Sequence, residues 1–323
     1  MKVCLISFDY WEYDRQIVKT LETQGIQATH INLSQFKYRY PSFFHRLTNF
    51  FQKTFLGKNT KKIKRQQHIL ETLKNIGFQD KILVINPEII DLENHLKIKK
   101  FSHNYIAYLY DSVERHPASH LFENVFDKIY SFDKSDVEKY NLSFITNYIY
   151  LPKKEIQENA ENKVFVISSI DERLPLLNKL AANFEKNNIS FKFILSGKHK
   201  PSGINDKIIY TPEKLNLQEI DDELGKTEII LDLVRKNQNG LSFRVFESLA
   251  HQKKLITTNQ SIKEYDFYNP NNILVINPEN LVIDKEFFDF EYKPLDEEIY
   301  KKYTLENWTK TVFELDQKNL IKA

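Results

Sequence analysis

Ile229-Ile230-Leu231-Asp232-Leu233 is apolar at all but one position, and a few residues later comes Asn237-Gln238-Asn239-Gly240-Leu241-Ser242-Phe243-Arg244-Val245-Phe246-Glu247-Ser248-Leu249-Ala250. The first run has strand length and does not alternate, which suits a strand buried on both faces of a sheet. In the second, Val245, Phe246 and Leu249 turn to a core behind a polar turn. Gly240 can take a positive φ there, and Ser242 can cap the helix that follows. Strand, polar turn and capped helix make one unit of a parallel sheet.

The same pattern recurs along the chain. Strand-length apolar runs occupy Lys2–Phe8, Gln27–Leu33, Lys81–Asn86, Tyr105–Tyr110, Lys128–Phe132 and Phe144–Tyr150, then Lys163–Ser168, Ser190–Ser196, Lys207–Tyr210, Glu228–Val234, Lys253–Thr258 and Asn272–Ile276. Helix-length segments separate them, so the fold class is α/β. Twelve strands are too many for one compact sheet, and two doubly wound, Rossmann-like parallel sheets facing a cleft are expected, with ligands at the carboxyl ends of the strands. The polar stretch from Leu151-Pro152 to Asn162 predicts a linker over 152–162, between an N-terminal domain (1–151) and a second domain (163–294). The closing segment, 295–323, reads as one or two amphipathic helices packing back across the domains, anchored by Ile299, Tyr303, Trp308, Val312 and Leu315.

Length agrees with two domains: 323 residues is about twice the ~150-residue unit used as a soft guide to one domain. With 41% hydrophobic and 28% charged residues the chain has material for real cores. A single cysteine, Cys4, excludes an intrachain disulfide and a paired-thiolate zinc site, and its apolar setting predicts a buried core residue. No run of 18 apolar residues exists, and Asp9 interrupts the first apolar run before it could form a signal-peptide core. A cytoplasmic protein is the expectation.

The net charge of +2 hides an asymmetry, because no acidic residue lies between Glu22 and Glu71 while nine basic ones do, leaving about −7 for the rest. The segment Lys37–Arg65 interleaves these cations with Tyr38, Tyr40, Phe43, Phe44, Phe50, Phe51 and Phe55. A helix with such a face would suit an anionic membrane surface, and the protein would then be peripheral on the inner face of the plasma membrane. Alternatively the aromatics pack into the first domain and the lysines are solvated. No nucleic-acid module is recognisable.

Absent motifs narrow the chemistry. There is no G-x-G-x-x-G after the first strand, no Walker-type phosphate loop, no H-E-x-x-H, no G-x-S-x-G and no D-x-D. What remains is a set of phosphate-receptive strand ends. In the stretch Asn239-Gly240-Leu241-Ser242, the helix N-terminus offers unsatisfied N–H groups to a diphosphate, and Arg244 in the first turn can add a bidentate contact. Glu247, on nearly the same face, can accept from two ribose hydroxyls; the plainer reading of Arg244 and Glu247 is a surface ion pair. Ser168, Ser169 and Arg173 form a second strand–helix junction suited to a diphosphate without a metal, or else a capped helix with an exposed arginine. Gly197 allows close approach of a ligand to backbone, and Tyr210 ends a further strand. In the first domain the candidate catalytic bases are Asp9 after the first strand, and Asp111 with Glu114 and His116 after the fourth, each carboxylate having helix capping as its alternative. Asp14-Arg15 reads as a helix-surface pair.

Gly240-Leu241-Ser242-Phe243-Arg244-Val245-Phe246-Glu247-Ser248-Leu249, with Lys253–Asn259 after it, resembles the nucleotide-sugar half of GT-B glycosyltransferases. The similarity is to bacterial proteins of lipopolysaccharide or capsule biosynthesis, related to the spore-maturation glycosyltransferase-like group, and extends from about Lys81 onward through Tyr110-Asp111-Ser112 and Phe126–Asp133. The resemblance implies a transferase that moves a sugar from a nucleoside-diphosphate donor to a surface glycan or a lipid-linked acceptor. It implies no cofactor and no metal, with helix N-termini and Arg173 or Arg244 neutralising the diphosphate. It also makes Tyr210 a neighbour of the base. In retaining members two glutamates eight positions apart mark the donor site; Glu247 matches the second and Asn239 stands at the first, so an inverting or retaining outcome stays open. A non-hydrolysing nucleotide-sugar epimerase and a catalytically silent scaffold of the same fold are the alternatives.

Overall fold

A computed structural model describes residues 1–9, 11–39, 42, 59–156 and 160–315. The chain divides into two compact units, one from Met1 to Ile145 joined by the stretch from Thr309, the other from Thr146 to Trp308. The sequence places the seam later, in the polar stretch beginning at Leu151.

The first unit is a six-stranded parallel sheet of β1 (Lys2–Ser7), β2 (Gln27–Asn32), β3 (Gln79–Ile85), β4 (Ser102–Leu109), β5 (Lys128–Ser131) and β6 (Ser143–Phe144), in the order β2-β1-β3-β4-β5-β6. Its described helices are α1 (Tyr13–Thr23), α2 (Thr60–Ile76), α3 (Leu92–Lys99) and α4 (Lys134–Tyr140). Cys4 is buried as expected, and burial pushes its thiol up to about 12. The chain runs from β1 out to β2 and then crosses back to β3, so the sheet reverses direction between β1 and β3.

The second unit is also six-stranded and parallel: β7 (Asn162–Ser169), β8 (Phe191–Ser196), β9 (Ile209–Thr211), β10 (Thr227–Asp232), β11 (Lys254–Thr257) and β12 (Ile273–Val275), ordered β12-β11-β10-β7-β8-β9. Here the reversal falls between β7 and β10. Its helices are α5 (Leu174–Lys186), α6 (Leu217–Gly225), α7 (Phe243–His251) and α8 (Glu297–Lys302). The last helix, α9 (Leu305–Val312), contributes its first turn here and its end to the first unit. Successive strand residues feed opposite cores. Val164, Val166, Ile229 and Leu231 pack with Leu177, Leu180 and Phe184 of α5, while Phe165, Ile167 and Ile230 pack with Ile220 and Leu224 of α6 and Val245, Phe246 and Leu249 of α7. Each fully buried aliphatic or aromatic chain is worth about 1.5–3 kcal/mol over an exposed one. This two-sided demand is why these runs do not alternate.

One expected strand is corrected. Of Phe144–Tyr150, only Phe144 is in β6, which pairs through Ser143 and Phe144 alone. Beyond it, Tyr148 packs against Phe243 and Trp308, and Ile149 joins the core of the second unit. The run is apolar because it enters that core, not because it lies in a sheet. The two closing helices are present, and Trp308 and Val312 are buried, but Tyr300 takes the buried place on α8 while Ile299 and Tyr303 stay partly exposed. No described helix is long and apolar enough to cross a membrane. Most of the aromatic, basic segment lies outside the described residues. Of its cations, Lys61, Lys62, Lys64 and Arg65 fall on α2, where Lys62 pairs with Asp91 and Arg65 lies over the Phe8 ring.

Lys254 opens β11 and is only 5% exposed. Its ammonium donates to the carbonyls of Phe287 (2.8 Å), Phe288 (3.2 Å) and Phe290 (2.6 Å), fastening that segment to the amino end of β11. Replacing Lys254 by Met strands three buried carbonyls, so urea denaturation should show a loss of about 2–4 kcal/mol.

Candidate functional site

In open α/β sheets the crevice for a ligand opens where the strand order reverses, at the carboxyl ends. Part of the sequence-predicted set lies there, whereas Gly197 follows β8, Tyr210 lies on β9, and Asp111 and His116 follow β4.

In the second unit, β10 ends on Asp232, a buried carboxyl. Ser242 Oγ donates to its Oδ1 (2.8 Å) and Thr257 Oγ1 to its Oδ2 (2.9 Å). Burial raises its pKa, partly offset by these two hydroxyls. Ser242 is the N-cap of α7, as expected, and accepts from Arg244 N (3.1 Å). The loop before it is held by Asn259, whose Nδ2 donates to the carbonyls of Asn239 (3.1 Å) and Gly240 (3.2 Å), and by Asn147, whose Nδ2 donates to Leu241 O (2.9 Å). The left-handed residue of this loop is Asn237 (φ 60°), and Gly240 is not among the residues of positive φ. That corrects the expectation for Gly240, asparagine being the non-glycine residue that best tolerates this conformation.

Across the reversal, β7 ends on Ser168 and Ser169, with Ser168 Oγ donating to Ser169 O (3.0 Å). Asp171 then accepts from Arg173 Nε (2.8 Å) and Nη2 (2.6 Å) and from Arg235 Nε (3.1 Å), while Arg173 Nη1 donates to Leu233 O (2.9 Å). Burial works to raise the Asp171 pKa, and the Arg173 and Arg235 contacts outweigh it, holding the carboxyl below its usual range. Arg173 is thus a mostly buried clamp between β7 and β10. Arg235 and Asp171 were not singled out from sequence, and their signal is that each follows a buried strand end. At β8, the space beside Gly197 is filled by Ile170: a Cβ on Gly197 would stand 2.6 Å from Ile170 Cδ1. Tyr210 hydroxyl donates to Gly197 O (2.9 Å), tying β9 to β8.

Arg244 and Glu247 do form an ion pair on α7, but a buried one, with no exposed surface on the Glu247 side chain. Tyr150 hydroxyl donates to Glu247 Oε1 (2.5 Å) and Arg244 pairs with Oε2. Tyr150 is a residue the sequence reading assigned to a strand.

In the first unit, Asp9 Oδ2 accepts from Arg15 N (3.0 Å), so this buried carboxylate faces the amino end of α1. Asp14 is no surface partner of Arg15. It is 1% exposed, and burial and the neighbouring Asp9 raise its pKa; Arg15 pairs instead with Glu12 (3.7 Å). Asp111 caps no regular helix. Its Oδ1 accepts from Ser112 N (3.0 Å), and its Oδ2 meets Arg115 (3.2 Å) and His116 Nε2 (3.4 Å). His116 Nδ1 reaches Glu88 Oε1 (2.9 Å), just beyond β3. Asp111 and His116 therefore come together, Asp9 lies beside Asp14, the charges of Asp9, Asp14 and Glu88 all act on the Tyr110 phenol, and Glu88 is a member that sequence reading missed. Its signal is an acidic residue behind Asn86-Pro87, at the strand end next to the reversal. Among the described residues no group of three or more His, Cys, Asp or Glu is placed to hold a metal ion.

No protein-family model matches the chain, and no curated protein matches it significantly. Solved structures do. A UDP-forming α,α-trehalose-phosphate synthase from Burkholderia xenovorans aligns over 99% of both chains at 12% identity with a TM-score of 0.56. HepE from Anabaena, in complex with UDP-glucose, covers 97% of this chain and 98% of its own at 9% identity and 0.57. The UDP-GlcNAc 2-epimerase of Methanocaldococcus jannaschii, with UDP-GlcNAc and UDP, covers 98% of this chain and all (100%) of its own at 13% identity and 0.52. This likeness is one of fold, the two-sheet α/β fold of the GT-B type.

The Asp111 and Glu88 hydrogen bonds raise the His116 pKa to about 9. A raised imidazole contributes stability that is complete below its unfolded value of 6.5 and is lost as pH rises toward about 9. NMR should find the ring still charged at pH 7.5, and the stability advantage of wild type over His116→Gln should fade between those two values. A ring already neutral at pH 7 would mean the two carboxylates do not hold it.

Proposed function

We propose that this chain is a glycosyltransferase that takes a sugar from a nucleoside-diphosphate donor. The observation that carries the reading is the reversal of the second sheet. There Arg173 and Arg235, the amino end of α7 with Arg244, and the Glu247 carboxylate gather behind two adjacent parallel strands. Guanidinium groups and helix N–H dipoles are what a leaving diphosphate needs as negative charge develops on it. Ser168, Ser169 and Asn239–Ser242 supply further polar groups, and Glu247 would accept from the ribose. Tyr210, on β9, would stand nearest the base, while Ile170 fills the space beside Gly197. Structural neighbours that hold UDP, UDP-glucose or UDP-GlcNAc put uridine nucleotides first among donors to test.

The acceptor hydroxyl must lose a proton as the new bond forms. Asp111 is our choice for the base. His116, held as a cation between Glu88 and Asp111, orients that carboxylate and does not take the proton itself at neutral pH. Asp9 is the weaker candidate, because it is buried and burial raises its pKa. We take the acceptor to be a surface glycan or lipid-linked sugar of the lipopolysaccharide or capsule type, as in the spore-maturation-like group. The enzyme would work in the cytoplasm, touching anionic membrane through Lys37–Arg65, without nucleic acid, cofactor or metal. A nucleotide-sugar epimerase is the second reading, favoured by the extra acid–base group at Glu88. An epimerase converts its donor with no acceptor present, whereas a transferase does not.

Calorimetric titration with UDP, GDP, CDP and ADP tests the donor site, and EDTA should leave the affinity unchanged. Arg173→Ala and Arg244→Ala should each weaken the preferred diphosphate by about 1.5–3 kcal/mol and leave its nucleoside nearly unaffected. Equal losses for both ligands would assign these arginines to structure alone.

A further inference from the structure

The carboxylate on which the nucleotide reading leans is already satisfied. Glu247 holds Tyr150 hydroxyl on one oxygen and the Arg244 guanidinium on the other. Two donors on two carboxylate oxygens is also the pattern that the 2′- and 3′-hydroxyls of a ribose present. With no exposed surface on the Glu247 side chain, a diol reaches it only by exchange. Releasing Arg244 would leave a buried anion without its counter-charge, a larger cost than releasing a neutral phenol. The backbone beside Tyr150 is pinned, since Ile149 N donates to Tyr303 O (2.8 Å) and Leu305 N to Ile149 O (2.9 Å). Motion therefore falls to the side chain. The Tyr150 ring is half-buried and stands edge-on to Phe243, centroids 5.9 Å apart, so it can turn without opening a core.

We propose that Tyr150 hydroxyl stands in for a ribose hydroxyl on Glu247 and is exchanged for it when a nucleotide binds, which makes Tyr150 a specificity-determining residue of the donor site. The inference rests on the reading of Glu247 as the ribose acceptor. In wild type the incoming hydroxyl replaces an existing bond, so a ribonucleotide gains little over one that lacks the diol. Remove the phenol hydroxyl and the same hydroxyl no longer has to displace it from Oε1.

The test compares wild type with Tyr150→Phe, which keeps the ring against Phe243. UDP, GDP, CDP and ADP are each titrated beside their 2′,3′-dideoxy forms, and a ligand-free melting curve verifies the fold of the variant. The ratio of ribo to dideoxy affinity should rise roughly fivefold in Tyr150→Phe, the worth of about one net hydrogen bond, with dideoxy affinity unchanged. An unchanged ratio, or a fall in ribonucleotide affinity, overturns the exchange while leaving the nucleotide site standing. If neither protein binds any of the four ribonucleotides, the donor reading fails and this inference fails with it. Ribonucleotide binding seen only in the variant supports the exchange.

Discussion

The carboxyl of Asp232 is the contact on which the second unit's working end depends. A parallel sheet leaves its strand ends to loops whose backbone groups have no ladder partners, and a buried carboxyl with two hydroxyl donors is a compact way to bind three such ends together. Ser242 brings the cap of α7 to β10, and Thr257 brings β11. From these two anchors the rest is built outward. Thr258 Oγ1 accepts from Val234 N (2.9 Å), and Asn259 holds the Asn239–Gly240 turn. The amino end of α7 is thereby fixed, with Arg244 N taken by its own cap at Ser242.

The arginines meet a different constraint. Arg173 and Arg235 share Asp171, and the charge of Arg173 also acts on the buried Asp232. Such a cluster is a ready partner for an anion, and under the proposed function a diphosphate would be that anion. Arg244 is balanced by Glu247 instead.

The first unit shows the same economy at its own reversal, with a different balance of charge. His116 sits between Glu88 and Asp111, and Arg115 adds a second cation on Asp111. Asp9 and Asp14, one residue capping α1 and the other buried beside it, form an acidic pair. The His116 group sets a partly exposed imidazole between two carboxylates.

Periodicity in the sequence determined the α/β class, the two six-stranded sheets and the cap at Ser242, because these follow from local demands: apolar runs of strand length, and an oxygen where a helix begins. It also picked out Arg173, Arg244, Glu247, Asp111 and His116, since strand ends are visible in one dimension. The tertiary structure alone decided which groups meet. Tyr148, Ile149 and Tyr150 look like a strand by composition, yet they leave the first sheet after Phe144 to fill the second unit's core, and Tyr150 thereby reaches a carboxylate 97 residues away. Glu88 becomes a partner of His116 only because β3 and β4 pair side by side. Burial turned an expected surface ion pair at Arg244 and Glu247 into an interior one, and the left-handed turn falls at the exposed Asn237, not at Gly240. Such outcomes depend on contacts between residues distant in sequence, whose free energies are decided by packing and desolvation and leave no trace in local spacing.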